Sequence, residues 1–156
     1  GLTWVPFTGE RFTGVVGEPL RSNGIEQPAL DPVPLSESIV GVSPFNIDSR
    51  GKVPGRYRLA VIENLSRKCS RMRMHGATGV DFAYAASGIL GGAISFGAHV
   101  WDHAAGVALV RAAGGIVTNL DGSDWTTKSR SALAGAPGVH SELLELLHSV
   151  GAPEDF

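Results

Sequence analysis

The sequence predicts an α/β fold, in which a layered mixed β-sheet is flanked by helices. From about residue 55 onwards, helical and strand-like segments alternate, which is typical of a sheet covered by helices. A second indication is the stretch that begins at Asp102, which is apolar or small on every side except at Arg111 and therefore predicts a helix buried between layers. With 156 residues, 43% of them hydrophobic, the chain fits one domain with a sizeable core.

The N-terminal part predicts a hairpin followed by loops. Residues 2–6 and 11–16 are strand-like runs joined by the turn residues Thr8-Gly9-Glu10. Six of the nine prolines fall between Pro19 and Pro54, so we expect loops around a single strand over residues 38–42.

The remaining segments predict the alternating layer structure. Apolar residues recur at helical spacing over residues 55–70, and the opposite face is charged, which indicates an amphipathic surface helix. The further predicted helices cover residues 77–90, the stretch from Asp102, and 137–150, and the predicted strands cover 91–96, 116–119 and 131–134.

Charge and cysteine content exclude several classes of function. The net charge is −2, with 13 basic and 15 acidic residues and no long run of either sign, so neither a nucleic-acid polymer nor a membrane surface is an expected partner. Cys69 is the single cysteine and predicts a reducing, cytoplasmic location. The chain begins at Gly1 in strand-like sequence, which we interpret as a processed or trimmed product.

The residues that could take part in binding or catalysis lie at two helix starts. Asp102 stands where free backbone N–H groups and the helix dipole favour a carboxylate, and the residue types alone favour an N-cap role. The run Gly76-Ala77-Thr78-Gly79 opens another helix, and its N–H groups could hold an anion or a substrate hydroxyl. On its own, this second pattern is more often structural.

Three motifs together resemble the inositol monophosphatase family of magnesium-dependent sugar-phosphate phosphatases. They are Trp-Asp-x-Ala-Ala-Gly at 101–106, Leu-Val-Arg-x-Ala-Gly-Gly at 109–115, and Asp121-Gly122. The resemblance implies that Asp102 is a catalytic residue that binds Mg²⁺ beside the scissile phosphate. It covers most of this chain but only the C-terminal half of a family member, so residues 1–156 are expected to form a single C-terminal α/β domain.

The resemblance also implies a substrate-binding surface. Gly76, Ala77 and Thr78 align with the family loop that contacts the alcohol part of the substrate. Ser95 stands where an inositol-specific member carries a glutamate for ring hydroxyls, and serine brings no charge and reaches less far. Inositol phosphate, histidinol phosphate and other sugar or nucleotide phosphates therefore all remain possible substrates.

The family's first metal signature, Asp-Pro-x-Asp-Gly-Thr, and the Glu-Glu pair before it do not occur in the sequence. Asp31-Pro32-Val33 imitates only the opening of that signature. Chemistry with two or three metal ions needs several converging carboxylates, so we expect the isolated chain to be inactive without an N-terminal metal-binding half. A metal cluster of His75, His99 and His103 is not favoured, and neither is a Ser-His-Asp triad.

Two hypotheses follow from the sequence. In the first, the chain is the C-terminal part of a Mg²⁺-dependent phosphatase that hydrolyses a small phosphorylated metabolite with metal-activated water, and it forms a homodimer as family members commonly do. In the second, it is a non-catalytic module that keeps the fold and acts as a regulatory or interaction subunit. The presence of the missing carboxylates, in the same chain or in a partner, discriminates between the two.

Overall fold

The computed structural model describes residues 1–156, and its elements form two β-sheets and four helices. The strands of the first sheet are β1 (Leu2–Val5), β2 (Glu10–Thr13), β3 (Arg21–Ser22) and β4 (Ile25–Glu26). The strands of the second are β5 (Ile39–Val42), β6 (Arg71–Arg73), β7 (Gly92–Ser95), β8 (Ile116–Thr118) and β9 (Ala132–Gly135). The helices are α1 (Gly55–Ser66), α2 (Thr78–Ala86), α3 (Val100–Ala112) and α4 (Pro137–Val150).

The two sheets differ in strand direction. The small sheet is antiparallel in the order β1-β2-β3-β4, and the large sheet has the order β6-β5-β7-β9-β8. In the large sheet β5 runs parallel to β6 and β7, whereas β9 is antiparallel to both β7 and β8. The prediction of a mixed sheet flanked by helices is therefore confirmed.

Two hydrophobic cores arrange these elements in layers. Helices α2 and α3 lie between the sheets, where Phe82 and Leu109 share a core with Phe12 of the small sheet and Ala93 of the large one. Helices α1 and α4 cover the other face of the large sheet, with Leu133 in their core. The large sheet is thus covered on both faces, and the outer face of the small sheet carries no helix.

Two expectations about strands and helix ends are corrected. The segment expected to contain a single strand among loops also forms strands β3 and β4, which are joined by a two-residue hairpin turn at Asn23 and Gly24 with positive φ values (49° and 84°). The helix predicted to reach residue 70 ends at Ser66, and the chain then pairs with β5 as strand β6. This pairing replaces the last helical turn because the parallel edge of β5 offers hydrogen-bond partners.

Helix α3 is not buried on every side. Trp101 is 73% exposed, and Asp102 and Ala104 are exposed as well. The buried residues follow from His103 onwards. None of the four helices is long and apolar enough to cross a membrane.

Candidate active site

Two helix starts and one strand end meet at one edge of the large sheet. Strand β7 runs parallel to β5, and α3 begins five residues after β7 ends. Helix α2 precedes β7 through a short turn, so its start lies at the end of the sheet where β7 finishes. We call this region, formed by Ser95, residues 76–78 and Asp102, the site edge.

Asp102 lies in the first turn of α3 with no bonding partner for its carboxylate. The helix begins at Val100, its N-cap is His99, and no side chain makes a capping hydrogen bond. The interpretation of Asp102 as the N-cap is therefore wrong. The carboxylate is exposed, makes no ion pair, and is favoured electrostatically by the helix dipole. It is free to bind a ligand that approaches from outside.

Ser95 ends β7 with its hydroxyl turned towards the protein interior. Only 2% of the residue is exposed, and Ser95 Oγ lies 2.9 Å from His103 Nε2. The N–H of Gly97 also donates to Ser95 Oγ, at 3.4 Å. A substrate contact by Ser95 stays a prediction, and a substrate would have to reach a hydroxyl that His103 already holds.

The pair of Ser95 and His103 is not a nucleophilic centre. His103 is fully buried, and burial lowers the pKa of its imidazole, which favours the neutral form. His103 Nδ1 has no hydrogen-bond partner, so no carboxylate orients the ring as a catalytic triad requires. This polar pair fixes the end of β7 against α3.

The loop of Gly76, Ala77 and Thr78 forms the start of α2. Gly76 has a φ of +75°, which a residue with a side chain rarely adopts, and it turns the chain into the helix. Ala77 is the N-cap, and its carbonyl accepts the N–H groups of Val80 and Asp81 at 3.0 Å. Backbone N–H groups at such a helix start have no partner within the helix. Gly76 and Ala77 are exposed, so this loop can be reached from solvent.

A histidine and an aspartate flank this loop. His75 Nδ1 lies 2.5 Å from Asp81 Oδ1, and the two side chains are 34% and 4% exposed. Burial raises the pKa of the Asp81 carboxyl, and the hydrogen bond and positive charge of His75 act in the opposite direction. Sequence reasoning treated His75 as structural and missed Asp81. The available signal was one acidic residue in an otherwise apolar and small helix.

The remaining histidines at the site edge have separate partners. The His99 ring stacks on Trp101 with a centroid distance of 4.6 Å, whereas His103 contacts Ser95. Nowhere in residues 1–156 do three or more His, Cys, Asp or Glu side chains gather as a metal site would require. Asp102 is therefore a single potential ligand, and the chain alone does not fit a two-metal centre.

Comparison with known protein families assigns the chain to a family. The model of the inositol monophosphatase family matches residues 1–152. The chain belongs to the inositol monophosphatase family. Two mycobacterial relatives are similar over all 156 residues: inositol-1-monophosphatase ImpA of Mycolicibacterium smegmatis at 65% identity, and probable inositol 1-monophosphatase ImpA of Mycobacterium tuberculosis at 64%. The chain spans 56% and 58% of their lengths.

More distant family members share the fold. The Nus factor SuhB of Salmonella typhimurium is 31% identical over 144 residues, which are 92% of this chain and 52% of that protein. Among solved structures, inositol monophosphatase from Anabaena superposes with a TM-score of 0.85 at 28% identity, over 100% of this chain and 62% of its own. The chain thus spans little more than half the length of the family members that it matches.

A cavity on the opposite face of the large sheet is separate from the site edge. It has a volume of about 810 Å³ and lies between α1 and the end of α4. Its charged lining residues come from three regions that only the fold brings together, namely the segment before α1, the connection between β8 and β9, and the C-terminal end: Lys52, Asp121, Arg130, His148 and Glu154. Asp121 also accepts two hydrogen bonds from Ser123, and these lower the pKa of its carboxyl.

Proposed function

We propose that this chain is the C-terminal part of a phosphatase that hydrolyses a small phosphate monoester. The proposed substrate class is an inositol phosphate, histidinol phosphate or a related sugar or nucleotide phosphate. Family membership supports the reaction class, and the two relatives named as inositol monophosphatases support this class of substrate. The free thiol of Cys69 is compatible with a cytoplasmic location, which is part of this proposal.

The observation that carries the proposal is the exposed, unpartnered carboxylate of Asp102 at the site edge. A helix start stabilises this negative charge without neutralising it, so the carboxylate keeps its capacity to bind a cation. The loop from Gly76 to Thr78 begins a second helix at the same end of the sheet, and its free N–H groups can hold an alcohol or an anion. A phosphate ester has both an anionic and an alcohol part.

The proposed cation is Mg²⁺, because a carboxylate is the hard oxygen ligand that this ion prefers. Asp102 alone does not complete such a site, since nowhere in residues 1–156 do three or more potential ligand side chains gather. We therefore propose that the other ligands come from an N-terminal half of the intact protein, or from a partner chain that supplies it. A homodimer of the intact protein is part of the same proposal.

The substitution Asp102→Asn tests this function in a protein of full family length. Asparagine keeps the shape of the side chain and removes the charge, so Mg²⁺-dependent release of phosphate from inositol phosphate should fall roughly 100-fold or more. Stability should change by no more than about 1 kcal/mol, because Asp102 makes no capping bond and only its interaction with the helix dipole is lost.

Glu145→Gln provides the matched control for this experiment. Glu145 is an exposed carboxylate on α4, in the outer helical layer. Its removal should leave turnover unchanged. Full activity in the Asp102→Asn protein would refute the metal-binding role, and so would strong phosphatase activity of the 156-residue chain on its own.

A second candidate function, a non-catalytic interaction module, is favoured by one observation. Relatives at 29–31% identity carry the name Nus factor SuhB, which is not the name of an enzyme. In that case, an intact protein with all its carboxylates would release no phosphate from inositol phosphate, histidinol phosphate or related sugar and nucleotide phosphates. The measurement on the unmodified protein therefore separates the two candidates before any variant is made.

A further inference from the structure

The cavity of about 810 Å³ between α1 and the end of α4, which we call the outer cavity, has a buried floor and a charged mouth. Its floor is formed by Tyr57, Leu120 and Leu147, all of which are buried. Lys52 and Arg130 lie at the mouth, where both are exposed. A cavity of this size, with a few polar groups above an apolar floor, is typical of sites that hold a small metabolite.

The hydroxyl of Tyr57 is a polar group of the floor without a partner in the protein. Tyr57 is 2% exposed, and its ring packs edge-on against Phe96 and Phe156, with centroid distances of 6.5 and 5.5 Å. The hydroxyl makes no hydrogen bond, yet only two unpartnered side-chain atoms are fully enclosed, His103 Nδ1 and Trp125 Nε1. The Tyr57 hydroxyl is therefore open to the outer cavity.

This hydroxyl can donate a hydrogen bond at neutral pH. Burial raises the pKa of the Tyr57 phenol, and the negative charge of Glu154 raises it further, so the proton stays on the oxygen. A largely buried donor without an acceptor costs free energy, and an acceptor that enters the cavity removes this cost. The floor therefore favours a ligand with oxygen acceptors.

The uncompensated charges of the outer cavity are mainly positive. Lys52 and Arg130 take part in none of the three ion pairs of the protein. Of the two carboxylates in the lining, Asp121 already accepts two hydrogen bonds from Ser123, at 2.9 and 2.6 Å. Glu154 is then the one carboxylate left without a donor. Two free cations thus face one free anion, which favours an anionic ligand.

We propose that the outer cavity binds a small organic phosphate whose body carries hydroxyl groups, such as a sugar phosphate. A phosphate monoester carries about 1.5 to 2 negative charges at pH 7, which Lys52 and Arg130 match, and a planar guanidinium suits two of its oxygens. The Tyr57 hydroxyl donates to the ligand, and the Glu154 carboxylate accepts from a ligand hydroxyl.

Binding in the outer cavity is separate from the phosphatase function proposed above. The residues of its floor belong to the core that α1 and α4 share with the large sheet. Helices α2 and α3, whose starts form the site edge, pack in the core on the opposite face of that sheet. The site therefore stands whether or not the intact protein hydrolyses a phosphate ester.

The test titrates the ¹⁵N-labelled 156-residue chain with D-glucose 6-phosphate, D-ribose 5-phosphate and adenosine 5′-monophosphate, in a buffer with EDTA. EDTA keeps metal ions, which could hold a phosphate at Asp102, out of the experiment. With at least one of the three esters, we expect shifts of the amide signals of residues 52–57, 129–131 and 148–154, with a Kd below about 1 mM. D-Glucose, which lacks the phosphate, should cause no shifts at the same concentration.

Arg130→Gln and Lys52→Gln test the two cations. Both side chains are exposed and unpaired, so the fold should not change. Each substitution should weaken binding about 10-fold, because a charge-assisted contact to the phosphate is lost. Lys128→Gln is the matched control. Lys128 is exposed on the same connection between β8 and β9 but does not line the cavity, so its loss should leave Kd unchanged.

Tyr57→Phe separates a binding role of the hydroxyl from a structural one. Phenylalanine keeps the ring and its contacts with Phe96 and Phe156, and no bond within the protein is lost. The free chain should therefore be as stable in urea as the unmodified one, whereas binding should weaken about 2- to 10-fold. A loss of stability without ligand, or an unchanged Kd, would overturn the role of the hydroxyl as a ligand donor.

Several results would overturn the site itself. No shifts with any of the three esters would exclude it, and so would shifts confined to the loop from Gly76 to Thr78, which would place the phosphate at the site edge. Equal binding of D-glucose, tighter binding of citrate, or a Kd that neither Arg130→Gln nor Lys52→Gln changes would exclude a phosphate as the recognised group. Phosphate-dependent shifts around the outer cavity that both substitutions weaken would support the proposal.

Discussion

The two sheets of this protein bury their residues in opposite ways. Strands β7 and β9 of the large sheet are buried at every position, because helices cover both faces. In β1 of the small sheet, exposed and half-buried residues alternate, and Trp4 is 62% exposed. Phe7, in the adjoining turn, is 99% exposed.

This difference shows where stability is generated. In the centre of the large sheet, Ala93, Ala132 and Ala134 belong to one core, and Ile94 and Leu133 belong to the other. The small sheet contributes through its inner face alone, where Phe12 is 1% exposed and packs edge-on against Tyr84 at 6.1 Å. The same β-structure therefore supports a core on one side and offers a bare apolar surface on the other.

The largest expected effect is the loss of Phe12. Truncation to alanine removes the ring that joins the small sheet to α2, and we expect the free energy of unfolding to fall by about 3–5 kcal/mol. Leu133→Ala in the large sheet should cost about 2–5 kcal/mol. Urea unfolding monitored by circular dichroism measures both. A cost below 1 kcal/mol for Phe12→Ala would mean that the small sheet contributes nothing to the core.

An intermediate effect on the free energy of unfolding is expected from a change of pH, because a buried histidine of α4 titrates. His140 of α4 is 4% exposed and lies 3.0 Å from the Thr118 hydroxyl, and burial lowers the pKa of its imidazole below the usual 6.5. Below pH 6.5 the unfolded chain therefore binds a proton that the folded chain does not. Stability should fall as the pH decreases, by at most about 1.4 kcal/mol per pH unit for this residue.

His140→Gln sharpens that measurement. The glutamine amide does not titrate and can still bond to Thr118, so the loss of stability between pH 6.5 and 5 should become shallower. Thermal or urea unfolding at several pH values gives the slope for both proteins. Identical slopes would show that His140 titrates in the same way in the folded and unfolded chains.

The smallest effect on stability is expected from a substitution on the outer face of the small sheet, which no helix covers. Trp4→Ser should change the free energy of unfolding by no more than about 0.5 kcal/mol, because the indole is mostly in water already. The same change should reduce concentration-dependent self-association of the 156-residue chain, which sedimentation velocity can follow. Threonine at position 3, half-buried on the other side of the strand, offers Thr3→Ser as the control.

Hydrophobic periodicity was sufficient to predict those helices and strands that are long enough to show a pattern of their own. The predicted helix over residues 137–150 matches α4, and the strand over 38–42 differs from β5 by one residue. Strands β3, β4 and β6 were missed because they have two or three residues each, too few for a period, and are held by the strands beside them. Such pairing depends on tertiary neighbours, which a local pattern does not encode.

The candidate site was predictable in its position but not in its bonding. The motif around Asp102 identified the helix start, yet the residue types suggested a cap where the structure has His99 instead. The contact between Ser95 and His103 joins residues eight apart across a strand end and a helix start, and its burial follows from packing against α2. The bond between His75 and Asp81 depends on the turn at Gly76.

The close approach of α2 and α3 links the two halves of the site edge. Gly106 of α3 lies against Phe82 of α2, and any Cβ at position 106 would collide with the Cβ of Phe82. Each helix start carries one part of the site, so a change in the spacing between the helices would separate Asp102 from the loop before α2. Because every residue except glycine carries a Cβ, a side chain at position 106 would require glycine at position 82 or a wider spacing between the two helices. We therefore expect position 106 to be glycine in related sequences whose position 82 carries a side chain, because that pairing keeps the two halves of the site edge at this distance.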